Sequence, residues 1–258
     1  MDKRMQMDLS MATGEKRLER RGSEWAREKE KLFSPKRHQI ALRSNQNKIS
    51  TSLASKTPIF SQDVQVENFL SSAESKAFVN AAESLGFAHQ GSLGPAKGEA
   101  YRDNDRISVN DPVLADAIWA SGLSQLFSDI KIRGKSAFGL NPNIRFYRYK
   151  VGQRFGRHID ESVHLEDGKR THYTLLIYLS GGVAKGKNDR KNVKDSSSEP
   201  LVGGETVFYG SRNSVVAEVV PTEGMALLHI HGDKCMLHEA RNVSKGVKYV
   251  FRSDVAFA

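Results

Sequence analysis

The chain has 258 residues, 38% hydrophobic and 27% charged, the composition of a soluble globular protein able to bury a core. No apolar run approaches the roughly 18 to 20 residues that a bilayer span needs, so a membrane segment is not expected. The net charge is +9, yet residues 1–50 carry thirteen Lys/Arg against seven Asp/Glu, so most of the excess lies in the N-terminal tail and little on the rest.

One cysteine, Cys235, excludes an internal disulfide. The N-terminus lacks an apolar secretory core, and Asp2, Asp8, Glu15 and Glu19 argue against an acid-poor transit peptide. These features predict a cytoplasmic or nuclear protein. The stretch "TGEKRLERRGSEWAREKEKLF" (13–33) reads as a charged helix with a thin apolar face, and 34–57 as a polar, unpatterned linker. Residues 1–57 are therefore expected to be a basic, partly helical or disordered extension, with the folded part starting near Pro58.

"SSAESKAFVNAAESLGF" (71–87) predicts a helix: Ser72 before Glu74 forms a start signal, apolar residues follow at helical spacing, and Gly86 ends it. "DPVLADAIWASGLSQLFSDI" (111–130) predicts a second, capped by Asp111 with Pro112 in its first turn, and Gly122 is placed to split it. Residues 58–140 thus read as a helical lead-in. From Asn141 the period changes to 2, and eight short strands are expected within "NIRFYRYK", the "HID" segment, "HYTLLIYLS", "GGETVFYG", "SVVAEVV", "MALLHIH", "KCMLHEA" and "GVKYVFRSDVAF". So many short strands imply a double-sheet jelly roll over 141–258, interrupted by a patternless loop at 183–200.

His158 and Asp160 stand two residues apart, which on a strand sends both to one face. A later strand offers His238, and the last offers Lys248 and Arg252. Two histidines and one carboxylate on barrel walls, with no cysteine in the set, form a ligand set for non-haem Fe(II), because three ligands leave positions open for a cosubstrate and oxygen. A buried Lys or Arg would neutralise an anionic cosubstrate. His229 and His231 also share a face and form a rival pair, either of which could ligate, but in an apolar strand without a carboxylate two residues away they read more readily as histidines packed on neighbours. His164 and His172 flank a polar turn and read as exposed, His38 and His89 carry no pattern, and Cys235 reads as a small buried apolar residue.

"YKVGQRFGRHID" (149–160) resembles the Y-x-x-G-Q-x-(F/Y)-x-x-H-x-D stretch of the prolyl 4-hydroxylase-like branch of the 2-oxoglutarate- and Fe(II)-dependent dioxygenases. "TLLIYLSG", "GGETVFY" and "HEARNVSKGVKY" resemble the strand, the turn with its strand, and the closing His with Gly-x-Lys that follow in that family, in the same order. The resemblance implies a jelly-roll (double-stranded β-helix) dioxygenase with Fe(II) on His158, Asp160 and His238. It implies that Lys248 binds the distal carboxylate of 2-oxoglutarate, with Arg252 sharing or taking over that role, and that Tyr149 lines the cosubstrate pocket. It further implies O2 as co-reactant, succinate and CO2 as products, and L-ascorbate as an auxiliary reductant. Glu161 and Ser162 replace the family's usual aromatics after His-x-Asp, so prolyl specificity is not carried over, and a protein side chain, a nucleic acid or a small metabolite remains as substrate. The competing reading is a non-catalytic jelly-roll module that binds nucleic acid or an acidic partner through its basic tail.

Overall fold

The computed structural model describes residues 57–58, 63–91, 99–182 and 200–258. The readings made of the tail before Thr57 and of the 183–199 loop lie outside the described residues. No helix among the described residues is long and apolar enough to cross a membrane.

Twelve strands carry the architecture: β1 (Val64–Val66), β2 (Ala88–Gln90), β3 (Arg102–Asn110), β4 (Lys135–Leu140), β5 (Asn143–Tyr149), β6 (Arg154–His158), β7 (Arg170–Tyr178), β8 (Thr206–Tyr209), β9 (Val215–Val219), β10 (Ala226–Ile230), β11 (Leu237–Ala240) and β12 (Lys248–Phe257). Their antiparallel pairing makes a major sheet in the order β1-β10-β7-β12-β5-β3 and a minor sheet in the order β3-β6-β11-β8-β9. The two sheets share β3, whose Asp105–Asn110 half pairs with β5 while Arg102 and Asp103 pair with β6. This is the jelly roll expected from the strand-rich C-terminal half.

β3 was not among the expected strands, because "RDNDRISVN" opens on five charged or polar residues and alternates only at Ile107 and Val109. It is a strand because its charges are answered from neighbouring elements: Arg148 on β5 reaches Asp105 at 2.7 Å, and His89 on β2 reaches it at 3.2 Å. The helical lead-in therefore also contributes strands to the major sheet.

Helix α1 (Ser72–Leu85) starts with a capping box, although the cap is Ser71 rather than Ser72: the Glu74 amide donates to Ser71 Oγ and the Ser71 amide donates to Glu74 Oε2. Helix α2 (Pro112–Ile118) is capped by Asp111, whose carboxylate accepts from the Leu114 amide. Beyond it the chain widens into a π turn at Trp119–Leu123, where Gly122 adopts φ 127°, so the split expected at that glycine is observed.

The helices cover the outer face of the major sheet. Phe78 of α1 packs against Phe146 of β5 and Phe251 of β12, with ring centroids 6.3 and 5.9 Å away, and these two meet edge to face at 5.5 Å. Residues alternating with them turn inward: Val250, Tyr147, Tyr149 and Tyr178 join Phe208 of the minor sheet in a second core between the sheets. By the same alternation β12 sends Lys248 and Arg252 into that inner space. Because Phe251 is the hub that seats α1 on the sheet, Phe251→Ala should lower unfolding free energy by about 3–5 kcal/mol in a urea titration.

Candidate metal centre and cosubstrate pocket

His158 ends β6 and stands in register with His238 on β11, which brings their rings to 4.2 Å between centroids. Each ring has its Nδ1 committed: His158 Nδ1 donates to the Gly156 carbonyl at 2.8 Å and His238 Nδ1 to the Met236 carbonyl at 2.9 Å. A carbonyl can only accept, so each Nδ1 carries a proton and each Nε2 is directed inward. Phe155 stacks on His158 at 3.6 Å, and the Arg102 guanidinium covers the Phe155 ring at 4.2 Å.

Asp160 completes the cluster from just beyond β6. Its carboxylate oxygens lie 3.7 Å from His158 Nε2 and 3.6 Å from His238 Nε2. The Asp160 backbone is pinned on both sides, since its carbonyl accepts from the Gly232 amide at 2.8 Å and its amide donates to Cys235 Sγ at 3.2 Å. Cys235 is thus only partly buried and lies beside the ligand set, which corrects its reading as a small buried apolar residue. Its Sγ also lies 3.9 Å from His238 Nδ1.

Asp160 is 6% exposed, and burial alone would push its pKa up. The Arg252 charge, with the hydrogen bond and charge of His238, outweighs that and holds the carboxyl well below its ordinary value. Arg252 Nη2 sits 3.0 Å from Asp160 Oδ1, and Thr174 Oγ1 donates to Oδ2 at 2.8 Å. Burial, with the like charge of His238, lowers His158 to about 3, so it is a neutral donor at neutral pH. Burial would lower His238 as well, but its hydrogen bond to Asp160 raises it, so the metal-free cluster keeps one proton there. A divalent cation would take that proton's place.

Behind Thr174 the hydrogen bonds run in one direction. Val163 N–H donates to Thr171 Oγ1, Thr171 Oγ1 to His231 Nε2, His231 Nδ1 to Thr174 Oγ1, and Thr174 Oγ1 to Asp160. His231 is therefore a buried positioning residue, not a ligand.

Lys248 occupies the far end of the same cavity. It is 2% exposed, its Nζ donates to the Gly204 carbonyl at 2.5 Å, and it lies 5.4 Å from the ring centroids of both Tyr149 and Tyr178. Gly204 has φ +74°, and a Cβ there would come within 3.0 Å of Lys248 Cδ, so glycine is needed to let the lysine lie flat. Burial lowers the ammonium to about 7, against the opposing charge of Glu205. Tyr149 lines the cavity and is buried, with its hydroxyl pKa pushed up by desolvation. Arg252 lines the cavity too, but its Nη2 is directed to Asp160 and, at 3.5 Å, to Asp254.

His229, read as packed on neighbours, also faces this cavity. It is 1% exposed, its Nε2 is 3.8 Å from Asp160 Oδ2, and neither ring nitrogen has a hydrogen-bond partner among the described residues. No signal in the sequence places it there, because its carboxylate neighbour is 69 residues away in the chain. His164 is exposed as expected, while His172 is half-buried and His89 pairs with Asp103 and Asp105.

A double-stranded β-helix that gathers two imidazoles and a carboxylate at one end of a cavity, with a buried lysine at the other, is built like a metal-dependent oxygenase of the 2-oxo acid class. The donor atoms of His158, Asp160 and His238 lie within 4.8 Å of one another, and their other hydrogen bonds are already satisfied, so the set fits a divalent ion. The comparisons agree. The family model described as the 2OG-Fe(II) oxygenase superfamily matches residues 144–253. That match takes in His158, Asp160, His238, Lys248 and Arg252. No curated protein matches the chain significantly. Among solved structures, the fold matches a viral collagen prolyl hydroxylase from Paramecium Bursaria Chlorella virus-1 in its 2-oxoglutarate complex, at 18% identity and TM-score 0.50, covering 76% of this chain and 96% of that one. It also matches a Trichoplax adhaerens prolyl hydroxylase in complex with a hypoxia inducible factor oxygen degradation domain peptide, at 18% identity and TM-score 0.50, covering 88% of this chain and 94% of that one.

Thr174 donates a hydrogen bond to Asp160 Oδ2 and ends the hydrogen-bond chain from His231. Thr174→Val should weaken Mn(II) binding in calorimetry by about 10- to 100-fold with little change in circular dichroism.

Proposed function

We propose that His158, Asp160 and His238 hold Fe(II), that Lys248 binds the distal carboxylate of 2-oxoglutarate, and that the enzyme hydroxylates a polypeptide, with a prolyl side chain as the first candidate. The observation that carries the reading is the convergence of three metal-competent donors on a cavity whose opposite end holds a buried lysine. The polypeptide substrate is supported by the two prolyl hydroxylases of like fold, one of them in complex with a peptide. The binding-module reading has no such support, because it gives no use to a buried carboxylate surrounded by imidazoles.

When bound, Fe(II), 2-oxoglutarate and O2 supply oxidative decarboxylation to succinate and CO2 coupled to hydroxylation of a substrate C–H bond. The protein's own residues supply the rest. His158 and His238 present Nε2 while backbone carbonyls hold their Nδ1 protons. Arg252 and Thr174 orient the Asp160 carboxylate from opposite oxygens. Lys248 supplies a positive charge in a desolvated place, where a carboxylate gains most from it. Tyr149, Tyr178 and Val250 keep water from the interior between these ends. Arg252 is assigned to Asp160, leaving the cosubstrate anchor to Lys248.

Ascorbate is assigned as the auxiliary reductant, residues 58–258 as the catalytic unit, residues 1–57 as an extension, and the cytoplasm or nucleus as the compartment that suits a free thiol.

The purified chain should release succinate from 2-oxoglutarate with Fe(II) and ascorbate, and His158→Ala should release none above background. Incubated with cell extract, the wild type should add one oxygen atom to a polypeptide that the variant leaves unmodified. Absence of both activities, together with binding to mixed oligonucleotides that falls steeply with salt, would support the binding module instead.

Lys248 also sets a pH dependence. Its free pKa near 7 means that a bound carboxylate must draw a proton onto it above pH 7, so affinity for 2-oxoglutarate should fall as pH rises from 7 to 8.5. The fall should approach about tenfold per unit and vanish in Lys248→Met, as read by calorimetry on Mn(II)-loaded protein.

A further inference from the structure

His229 has no partner where its neighbours have theirs. It extends from β10 into the inner space two residues after Leu227, which packs in the apolar core between the sheets. Asp160 Oδ2 at 3.8 Å is beyond hydrogen-bond reach of its Nε2, and the rings of His238 and Phe208 pack on it at 4.7 and 5.4 Å between centroids. Of the side chains around it, His158 and His238 are held by backbone carbonyls and His231 by two threonines, while Arg252 reaches two aspartates through Nη2 and leaves only its Nε without a partner among the described residues. A buried imidazole with two unused nitrogens destabilises the empty protein relative to an apolar residue of the same size, so its use is to be sought in a bound state.

We propose that His229 is a positioning residue for the oxo acid, donating a ring N–H to the carboxylate at the metal end of 2-oxoglutarate while Lys248 holds the other end. This rests on the assignment of the metal and cosubstrate sites given above. Strand register supports it. Lys248 lies level with Tyr149, whereas His229 lies level with Thr174 and, one strand further, Asp254, six residues along β12 from Lys248. Both line the one cavity, so they bracket it lengthwise as a dicarboxylate requires. A neutral imidazole there has one N–H to donate and no charge to repel a cation. The competing use is direct ligation, since His229, Cys235 and His238 also offer donor atoms within 4.8 Å of one another.

The test uses the full chain with Mn(II) and 2-oxoglutarate as probes, comparing wild type with His229→Phe and His229→Gln. In His229→Phe the metal-free protein should melt at or above the wild-type temperature. Its Mn(II) affinity should stay within about threefold of wild type, while 2-oxoglutarate affinity of the Mn(II)-loaded protein should fall at least about tenfold, the worth of one hydrogen bond to a charged group. His229→Gln, which keeps an N–H donor, should recover part of that loss. Should the phenylalanine variant not fold, His229→Leu carries the same comparison. Unchanged 2-oxoglutarate affinity would overturn the proposal, and so would loss of Mn(II) binding as complete as in His158→Ala, which would make His229 a ligand. Wild-type protein that binds neither probe would overturn the underlying site assignment instead.

Discussion

A carboxylate buried between two sheets must be held by charge and hydrogen bonds, and the requirements of Asp160 organise much of this interior. An uncompensated buried charge costs several kcal/mol. Here Arg252 answers one oxygen and Thr174 the other, while Gly232 and Cys235 fix the backbone. The partners come from three places in the chain, two strands of the major sheet and the turn that leads from β10 to β11, so the site is ordered only when the jelly roll closes. Arg252 is in turn balanced by Asp254, which pairs with Arg145 at 3.1 Å, extending the network along the inner face of the major sheet.

That commitment divides the two cations of β12. Lys248 and Arg252 point the same way because they are four residues apart on one strand, yet only the lysine is near the tyrosine-lined end of the cavity. The arginine's planar fork suits a bridge between two carboxylates, whereas the ammonium on a flexible stem suits a buried point charge whose partner comes and goes. The lysine lies against one carbonyl oxygen, a modest substitute for a carboxylate, and burial lowers its pKa. Such preorganisation places the ordering cost in folding rather than in binding.

Much of the fold was legible because burial imposes a period. The helix at 72–85 follows from its capping box and apolar spacing, and the strands after Asn141 from alternation. Arg102–Asn110 was illegible for the opposite reason: its polar residues are satisfied by Arg148 and His89, partners that folding brings to it. Cys235 and His229 were misjudged on the same ground. Each looked apolar in its own strand or turn, but the 231–235 turn lays Cys235 against the Asp160 amide, and pairing of β10 with β7 sets His229 beside its carboxylate.

The sequence by itself determined the chemical inventory and its local geometry: His158 and Asp160 close together, a late histidine, a lysine and an arginine on one face of the last strand, in an order that resembles an oxygenase. These are properties of spacing, which a strand's period of two converts directly into direction. Only the tertiary structure decided who pairs with whom. Arg252 rather than Lys248 meets Asp160, His231 is clamped by threonines, and His229 is left without a partner, because such pairings depend on which strands become neighbours and in what register.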